Sequence, residues 1–218
     1  MRWFINSFVL HGNGNGSMSY LMERSNRCIL MVFLCSLVLL SGCRRDSEEP
    51  TLYDSERPYR LPYTYGEDRF VIQGYSGPFG HSGFELDFVM PVGTPVLAAR
   101  SGVVTAVQDS QSGNCPIEKN CSNNFVYIDH LDGSYAAYLH IKQFGACVSS
   151  GMVVNQGDVI ALSGNVGISA LPHLHLGIMP FNGEPPAFAD VNQFGSGVPE
   201  MGNFYMSFNR VGEDYCNE

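Results

Sequence analysis

The sequence predicts an all-β domain made of antiparallel β-sheet with β-hammerhead features. Short runs rich in β-branched or aromatic residues recur between turn residues, among them "RFVIQGY", "NFVYIDH" and "HLHLGIM". Such runs, punctuated by Gly, Asn and Asp, are typical of strands joined by hairpins. No segment offers a long amphipathic helix. An apolar fraction of 44% and a charged fraction of 15% in 218 residues fit one ordinary globular domain with some extra sequence.

Two kinds of turn support this fold class. In "HLDGSYAAYLHI", Asp132 and Gly133 stand between two predicted strands and favour a tight hairpin, because glycine accepts a positive φ without steric cost. The segments "MPVGTPVLAARSGVV" and "VVNQGDVIALSGNVG" each combine a glycine-containing turn with a valine-rich strand. We expect them to form the two arms of a β-hammerhead.

The N-terminal part of the chain resembles an export signal. Residues 28–42 are uncharged and mostly apolar, and they follow a basic flank. This run is shorter than the about 20 residues that a transmembrane helix needs. The run ends in Leu40-Ser41-Gly42-Cys43, which resembles the lipobox of bacterial lipoproteins and predicts lipidation of Cys43. A plain signal peptide with an incidental cysteine, or a buried helix, is the alternative.

These features divide the chain into three parts. We expect residues 1–43 to be leader and lipoprotein signal peptide. Within them, residues 1–17 are an unusually long leader or a wrongly placed start, since Met18 and Met22 are also available. Residues 44–64 are polar and rich in proline, which predicts a flexible tether. Residues 65–218 then form the domain.

A lipid on Cys43 would anchor the protein to a bacterial membrane without a transmembrane span. The expected location is the membrane surface that faces the periplasm. The resemblance to bacterial lipoproteins further implies the outer membrane, because Arg44 rather than Asp follows the cysteine. Without residues 1–43 the chain keeps 9 basic and 20 acidic residues, a net charge of −11. Such a surface repels nucleic acid.

Cysteine usage agrees with export. Cys28 and Cys35 leave with the signal peptide, so four cysteines remain besides the lipidated one. An even number in an exported domain predicts two disulfides, although the sequence leaves all three pairings open. A structural zinc site is the competing explanation, but CxxC spacing is absent. The four candidates are Cys115, Cys121, Cys147 and Cys216.

The histidines carry most of the functional information. Side chains alternate along a strand, so His173 and His175 share one face while Leu174 points the other way. If residues 81–87 continue as a strand, His81, Glu85 and Asp87 also share a face. Another histidine, His140, ends the strand in "YAAYLHI", whereas His130 stands beside a turn.

A catalytic zinc site would explain this pattern. Zinc binds imidazole and carboxylate tetrahedrally and leaves one position for water in catalytic sites. Further imidazoles can take the proton of that water and stabilise the oxyanion. Each histidine taken alone is equally compatible with a core or surface role, and the prediction depends on their combination.

Residues 79–179 resemble the LytM- and lysostaphin-type zinc endopeptidases that cut bacterial peptidoglycan. The matching stretches are "HSGFELDFVMPVGTPVLAARSGVV", "NFVYIDHLDGSYAAYLHI", "VNQGDVIALSGNVG" and "PHLHLGI". The resemblance implies a barrel-sandwich hybrid fold with an open catalytic groove. It also implies one zinc ion per chain, held by His81, Asp87 and His175, with His140 and His173 as catalytic histidines.

One position departs from the family pattern. The family usually places its aspartate four residues after the first histidine, where this chain has Glu85. Asp87 is preferred as the ligand because "FVMPVGTPV" follows it as in the family, and Glu85 remains the second choice. The two extra residues would form an insertion, accommodated by a β-bulge.

The residues together with this resemblance imply a zinc endopeptidase, expected to be monomeric, that hydrolyses peptide cross-links between peptidoglycan stem peptides. The alternative is a catalytically inactive relative that binds cell wall or activates another hydrolase. A biotinyl- or lipoyl-type carrier domain is less favoured, because neither Lys119 nor Lys142 occupies a hairpin tip. Neither the bond that is cut nor the division of roles between His140 and His173 follows from the sequence.

Overall fold

The computed structural model describes residues 58–75, 80–116, 119–180, 182–191 and 196–217. Within these ranges the chain forms thirteen β-strands and no helix, so no membrane-spanning helix occurs in the described part. The predicted signal peptide, the predicted lipidation site Cys43 and the predicted tether residues 44–57 lie outside it. The strands are β1 (Asp68–Gln73), β2 (Glu85–Val89), β3 (Pro95–Leu97), β4 (Gly102–Gln108), β5 (Asn114–Cys115), β6 (Phe125–Asp129), β7 (Tyr135–Leu139), β8 (Ile141–Ala146), β9 (Val153–Val154), β10 (Val159–Ser163), β11 (Gly167–Ile168), β12 (His173–Met179) and β13 (Phe204–Met206).

The strands form one large sheet and two small ones. The large sheet has the order β13-β1-β2-β12-β7-β6-β4-β9, and its neighbouring strands are antiparallel. A three-stranded sheet has the order β3-β10-β8, also antiparallel. The predicted all-β, antiparallel architecture is confirmed, with one short parallel pair between β5 and β11 that the sequence did not indicate.

The large sheet has one buried and one open face, and β12 shows how the sequence separates them. Leu174, Leu176 and Ile178 are buried in the core, whereas His175 and Gly177 occupy the alternate positions on the open face. Buried residues of both the large and the three-stranded sheet belong to one apolar cluster. Each fully buried leucine contributes about 1.5–3 kcal/mol, which holds β12 in a fixed register.

The two predicted hammerhead arms pair with each other through β3 and β10. Their glycine turns are reciprocal, since the Gly93 amide donates to the Ser163 carbonyl and the Gly157 amide to the Ala98 carbonyl. Both glycines have a positive φ, as these turns require.

The domain begins before residue 65, so the predicted tether boundary was wrong for residues 58–64. Tyr59, Leu61 and Tyr63 are buried. The Leu61 amide donates to Asp190 Oδ2 at 2.7 Å, and the Tyr63 hydroxyl donates to the Tyr205 carbonyl at 2.7 Å. The two prolines of this segment suggested a linker, but its apolar residues alternate and fill the core.

The predicted hairpin and the two predicted disulfides are present. Residues 130–134 join β6 to β7, and Gly133 has a φ of 88°, although the connection has five residues instead of a two-residue turn. Of the three pairings that the sequence left open, the structure contains Cys115–Cys121 and Cys147–Cys216.

Candidate metal centre and catalytic groove

Three neighbouring strands bring the predicted site residues together. β12 lies between β2 and β7, and His175 pairs with Asp87 on one side and with Leu139 on the other. Directly opposite residues share a face of the sheet. His175 Nδ1 accordingly lies within hydrogen-bond distance of Asp87 Oδ1, at 2.9 Å. His140 comes directly after Leu139, the last residue of β7, and therefore lies next to the pair formed by Leu139 and His175.

His81 approaches the same carboxylate from the segment that precedes β2. A strand over residues 81–87 was the condition for placing His81 on the same face as Asp87. That strand is absent over residues 81–84, because Ser82 and Gly83 form a bend and β2 begins at Glu85. The bend returns His81 towards the sheet. Its Nε2 lies 3.2 Å from Asp87 Oδ2.

The donor atoms of His81, Asp87 and His175 fit a metal ion. One ligand atom from each of the three residues lies within 4.8 Å of the other two. Ligands at about 2.1 Å from a tetrahedral zinc are about 3.4 Å apart, close to the 2.9 and 3.2 Å separations from Asp87 to the two imidazoles. His81 Nε2 is also buried and has no hydrogen-bond partner among the described residues.

Glu85 occupies a different place from Asp87. Its Oε2 lies 3.3 Å from His81 Nδ1, on the far side of the imidazole ring from Nε2, and its side chain is 38% exposed. The Asp87 side chain is only 3% exposed. In the described part of the chain, the group that fits a metal contains Asp87 and not Glu85. The geometry therefore favours Asp87 between the two candidates.

The electrostatics of the cluster favour a charged Asp87. Burial alone would raise the pKa of this carboxyl, but the neighbouring imidazoles of His175 and His81 outweigh burial and hold the pKa well below its usual range. The interaction with Asp87 raises the pKa of His81, against the opposing effect of desolvation. A permanently ionised carboxylate between two imidazoles is suited to a cation.

His140 and His173 form a second pair of imidazoles at the same site. Their ring centroids are 4.5 Å apart, and the His140 ring lies 6.0 Å from that of His175. His140 Nδ1 donates to the Val166 carbonyl at 2.7 Å, and His173 Nδ1 donates to the Leu171 carbonyl at 2.8 Å. Carbonyl oxygens only accept, so in the neutral form of each ring Nε2 carries the lone pair.

Burial keeps His140 neutral. It lowers the pKa of this imidazole to about 4, although the hydrogen bond to Val166 acts in the opposite direction. The backbone of His140 also has a φ of 62°, an uncommon conformation for a residue with a side chain. The Asn123 side chain accepts a hydrogen bond from the His140 amide at 3.1 Å and holds this conformation.

Three polar residues of the site were missed by the sequence analysis. Besides Asn123, Ser169 Oγ lies 3.1 Å from His173 Nδ1, and Asn114 donates to the Ser169 carbonyl at 2.9 Å. Asn114 lies in β5, and its neighbour Cys115 carries the short disulfide. Isolated Asn and Ser residues have no diagnostic spacing in a sequence. Asn114 and its partner Ser169 are also 55 residues apart in the chain, so no local pattern connects them.

These residues line a groove of about 640 Å³ on the open face of the large sheet. The end of β1 forms one side, and the disulfide loop and residues 168–171 contribute further lining. All five predicted metal-ligating and catalytic residues line it, and His130 does not. The lining residues are Ile72, Gln73, His81, Asp87, Cys115, Pro116, Cys121, Asn123, Leu139, His140, Ile168, Ser169, Ala170, Leu171, His173 and His175.

His130 has a structural position outside the groove. It is 3% exposed, its Nδ1 donates to the Ser101 carbonyl at 2.8 Å, and its ring packs edge-on against Tyr59. Burial lowers the pKa of His130 to about 4.

A groove on an all-β domain, with an aspartate and two histidines in ligand geometry beside two further imidazoles, is the kind of arrangement that metal-dependent hydrolases use. Comparison with known proteins specifies the family. Residues 80–187 match Peptidase family M23. The chain therefore carries a domain of this metallopeptidase family, and the resemblance to LytM- and lysostaphin-type enzymes is confirmed.

Two curated relatives illustrate the similarity. The peptidoglycan DD-endopeptidase ShyA of Vibrio cholerae is 38% identical over 89 residues, which cover 41% of this chain and 18% of that protein. Lysostaphin of Staphylococcus simulans is 32% identical over 118 residues, which cover 54% of this chain and 21% of lysostaphin. The chain thus spans about a fifth of the length of these relatives.

A solved structure is similar over a comparable region. The crystal structure of a zinc-containing peptidase from Vibrio cholerae is 27% identical, with a TM-score of 0.43, and the match covers 58% of this chain and 38% of that one.

Proposed function

We propose that this protein is a zinc-dependent endopeptidase that hydrolyses peptide cross-links of bacterial peptidoglycan. The observation that carries the proposal is the convergence of His81, Asp87 and His175 within 4.8 Å, in a groove that also contains His140 and His173. The names of relatives such as peptidoglycan DD-endopeptidase ShyA support stem peptides as the substrate.

In this proposal His81, Asp87 and His175 hold one zinc ion per chain. Zinc, when bound, supplies Lewis acidity that lowers the pKa of water and polarises a carbonyl group. The Asp87 carboxylate offsets part of the positive charge of the zinc ion. Because its side chain is only 3% exposed, few water molecules compete for the carboxylate. The core residues that flank His175 on β12 keep its ring in place.

His140 and His173 would handle the proton. The Nδ1 of each ring is committed to a backbone carbonyl, so the Nε2 lone pair of a neutral ring can accept a proton from the attacking water. After that transfer, the imidazolium donates to the tetrahedral oxyanion or to the leaving amine. The fixed carbonyl partners keep both rings oriented throughout, which avoids reorganisation during the reaction.

The proposal includes the cellular location that the sequence predicts. Lipid on Cys43 would hold the domain at a membrane surface facing the periplasm, with the outer membrane favoured, where peptidoglycan is within reach. The domain would act as a monomer, and its negative charge would keep it off nucleic acid.

Metal analysis combined with digestion of purified peptidoglycan tests the proposal. We expect one zinc per chain and release of cleaved cross-links by the wild-type protein, with both lost in His175→Ala. Glu184→Ala, at an exposed position outside the groove, is the matched control and should behave as wild type. Equal digestion by wild type and His175→Ala would contradict the enzymatic proposal. Zinc binding without digestion by the wild type would favour the inactive regulator.

Mass spectrometry of the products formed from defined muropeptides would identify the bond that is cut.

A further inference from the structure

The position of Glu85 indicates a role that differs from metal ligation. Glu85 and Asp87 alternate with Leu86 on β2, so both carboxylates point to the open face of the sheet. Glu85 pairs with Gly177 of β12, and a methyl group added at Gly177 would lie 3.5 Å from Glu85 Cγ. The stem of Glu85 therefore lies over a residue without a side chain, close to the sheet.

His81 lies between the two carboxylates, and each ring nitrogen faces a different one. Nδ1 lies 3.3 Å from Glu85 Oε2, and Nε2 lies 3.2 Å from Asp87 Oδ2. The His81 ring also packs edge-on against the His175 ring, with centroids 4.9 Å apart. These contacts restrict the ring on three sides.

We propose that Glu85 is a positioning residue that fixes the orientation and tautomer of His81 for metal binding. A carboxylate beside Nδ1 favours the tautomer in which Nδ1 carries the proton, because only that tautomer can donate to it. Nε2 then presents its lone pair towards Asp87 and the metal position. A carboxylate that contacts a ligating histidine without touching the metal orients the imidazole ring and increases its basicity.

The exposure of the two carboxylates agrees with this division. Asp87, with a 3% exposed side chain, supplies charge where water is excluded, whereas Glu85, at 38%, remains hydrated and acts through His81. The inference rests on the proposed function, because it requires His81 to ligate a metal.

Zinc affinity measured by competition with a chromophoric chelator tests the role of Glu85. We expect Glu85→Ala to raise the zinc dissociation constant of the purified protein about 10- to 100-fold. Glu85→Gln should have a smaller effect, because the amide oxygen can still accept a hydrogen bond. Glu184→Gln, exposed and outside the groove, is the matched control and should be unchanged. The zinc-free unfolding midpoint of Glu85→Gln should equal that of the wild type, which separates positioning from a general loss of stability.

A second measurement is the tautomer of His81, read from ¹H–¹⁵N spectra of ring-labelled histidines in the zinc-loaded protein. The wild type should show a proton on Nδ1. If Glu85→Ala and Glu184→Gln bind zinc with affinities that agree within twofold, the inference about Glu85 is overturned, while the proposed function stands. Loss of stoichiometric zinc in Glu85→Ala together with its retention in Asp87→Asn would also overturn the inference, since Glu85 would then be the ligand. A wild type that binds no zinc would overturn the proposed function, and the inference with it.

Discussion

Acidification should destabilise the domain through His130. This imidazole has a pKa of about 4 in the folded protein and an ordinary value of 6.5. A base whose pKa is lowered by folding contributes its full stability above pH 6.5, and that stability is lost as the pH falls towards 4, because the unfolded chain binds the proton first. A difference of about 2.5 pKa units corresponds to about 3 kcal/mol.

The replacement His130→Gln isolates this contribution. Glutamine does not titrate, and it retains a donor for the Ser101 carbonyl that His130 Nδ1 now contacts. At pH 8 the variant should be less stable than the wild type, because the edge-on packing against Tyr59 is lost. Between pH 6.5 and 4 the wild type should lose about 3 kcal/mol more than the variant.

Urea unfolding at several pH values, without reductant so that both disulfides remain intact, measures the difference. A chelator in all samples removes any contribution from bound metal. Parallel stability curves for the two proteins from pH 8 to pH 4 would refute the reasoning. His130 lies in the connection from β6 to β7, so its protonation should also loosen the strand that leads to His140.

Three further perturbations test the groove. His173→Ala should retain zinc but lose about 10²- to 10⁴-fold in peptidoglycan digestion, as expected for a proton-transfer residue that is not a ligand; loss of zinc would contradict this role. Replacing Cys115 and Cys121 by serine should lower the free energy of unfolding by about 2 kcal/mol in chemical denaturation, because the disulfide no longer restricts a short loop of the unfolded chain. The replacement should also reduce digestion. Unchanged stability would contradict the estimate. In Gly164→Ala the added methyl would lie 2.7 Å from the carbonyl oxygen of His140, so we expect a marked loss of thermal stability and of activity, and a wild-type melting temperature would exclude the clash.

Strand alternation is a local rule, and it was enough to predict which side chains of β12 share a face. The pattern of β12 correctly placed His173 and His175 on one face, and the core residues between and after them hold that face in register. The all-β fold followed from the same alternation and from the glycine turns.

The errors have equally specific causes. A bend at Ser82 and Gly83 delays the start of β2 to Glu85, because turn residues outweigh the alternation that would have continued the strand back to His81. The segment 58–64 was assigned to the tether because of its prolines, and only tertiary packing of Tyr59 and Leu61 reveals it as core. The contact between Asn114 and Ser169 depends on a parallel pair of very short strands, and no local sequence pattern predicts that pair.

The hydrogen bond between His175 and Asp87 joins residues 88 positions apart in the chain. A growing polypeptide that has reached only residue 170 already contains His81 and Asp87 but neither histidine of β12, and β2 still lacks a neighbouring strand in the centre of its sheet. Such long-range pairing is intrinsically slow to form, because loop-closure entropy opposes it. Truncation before β12 would therefore leave a fragment without the candidate metal centre, which is complete only once the chain has been made through β12 and folded.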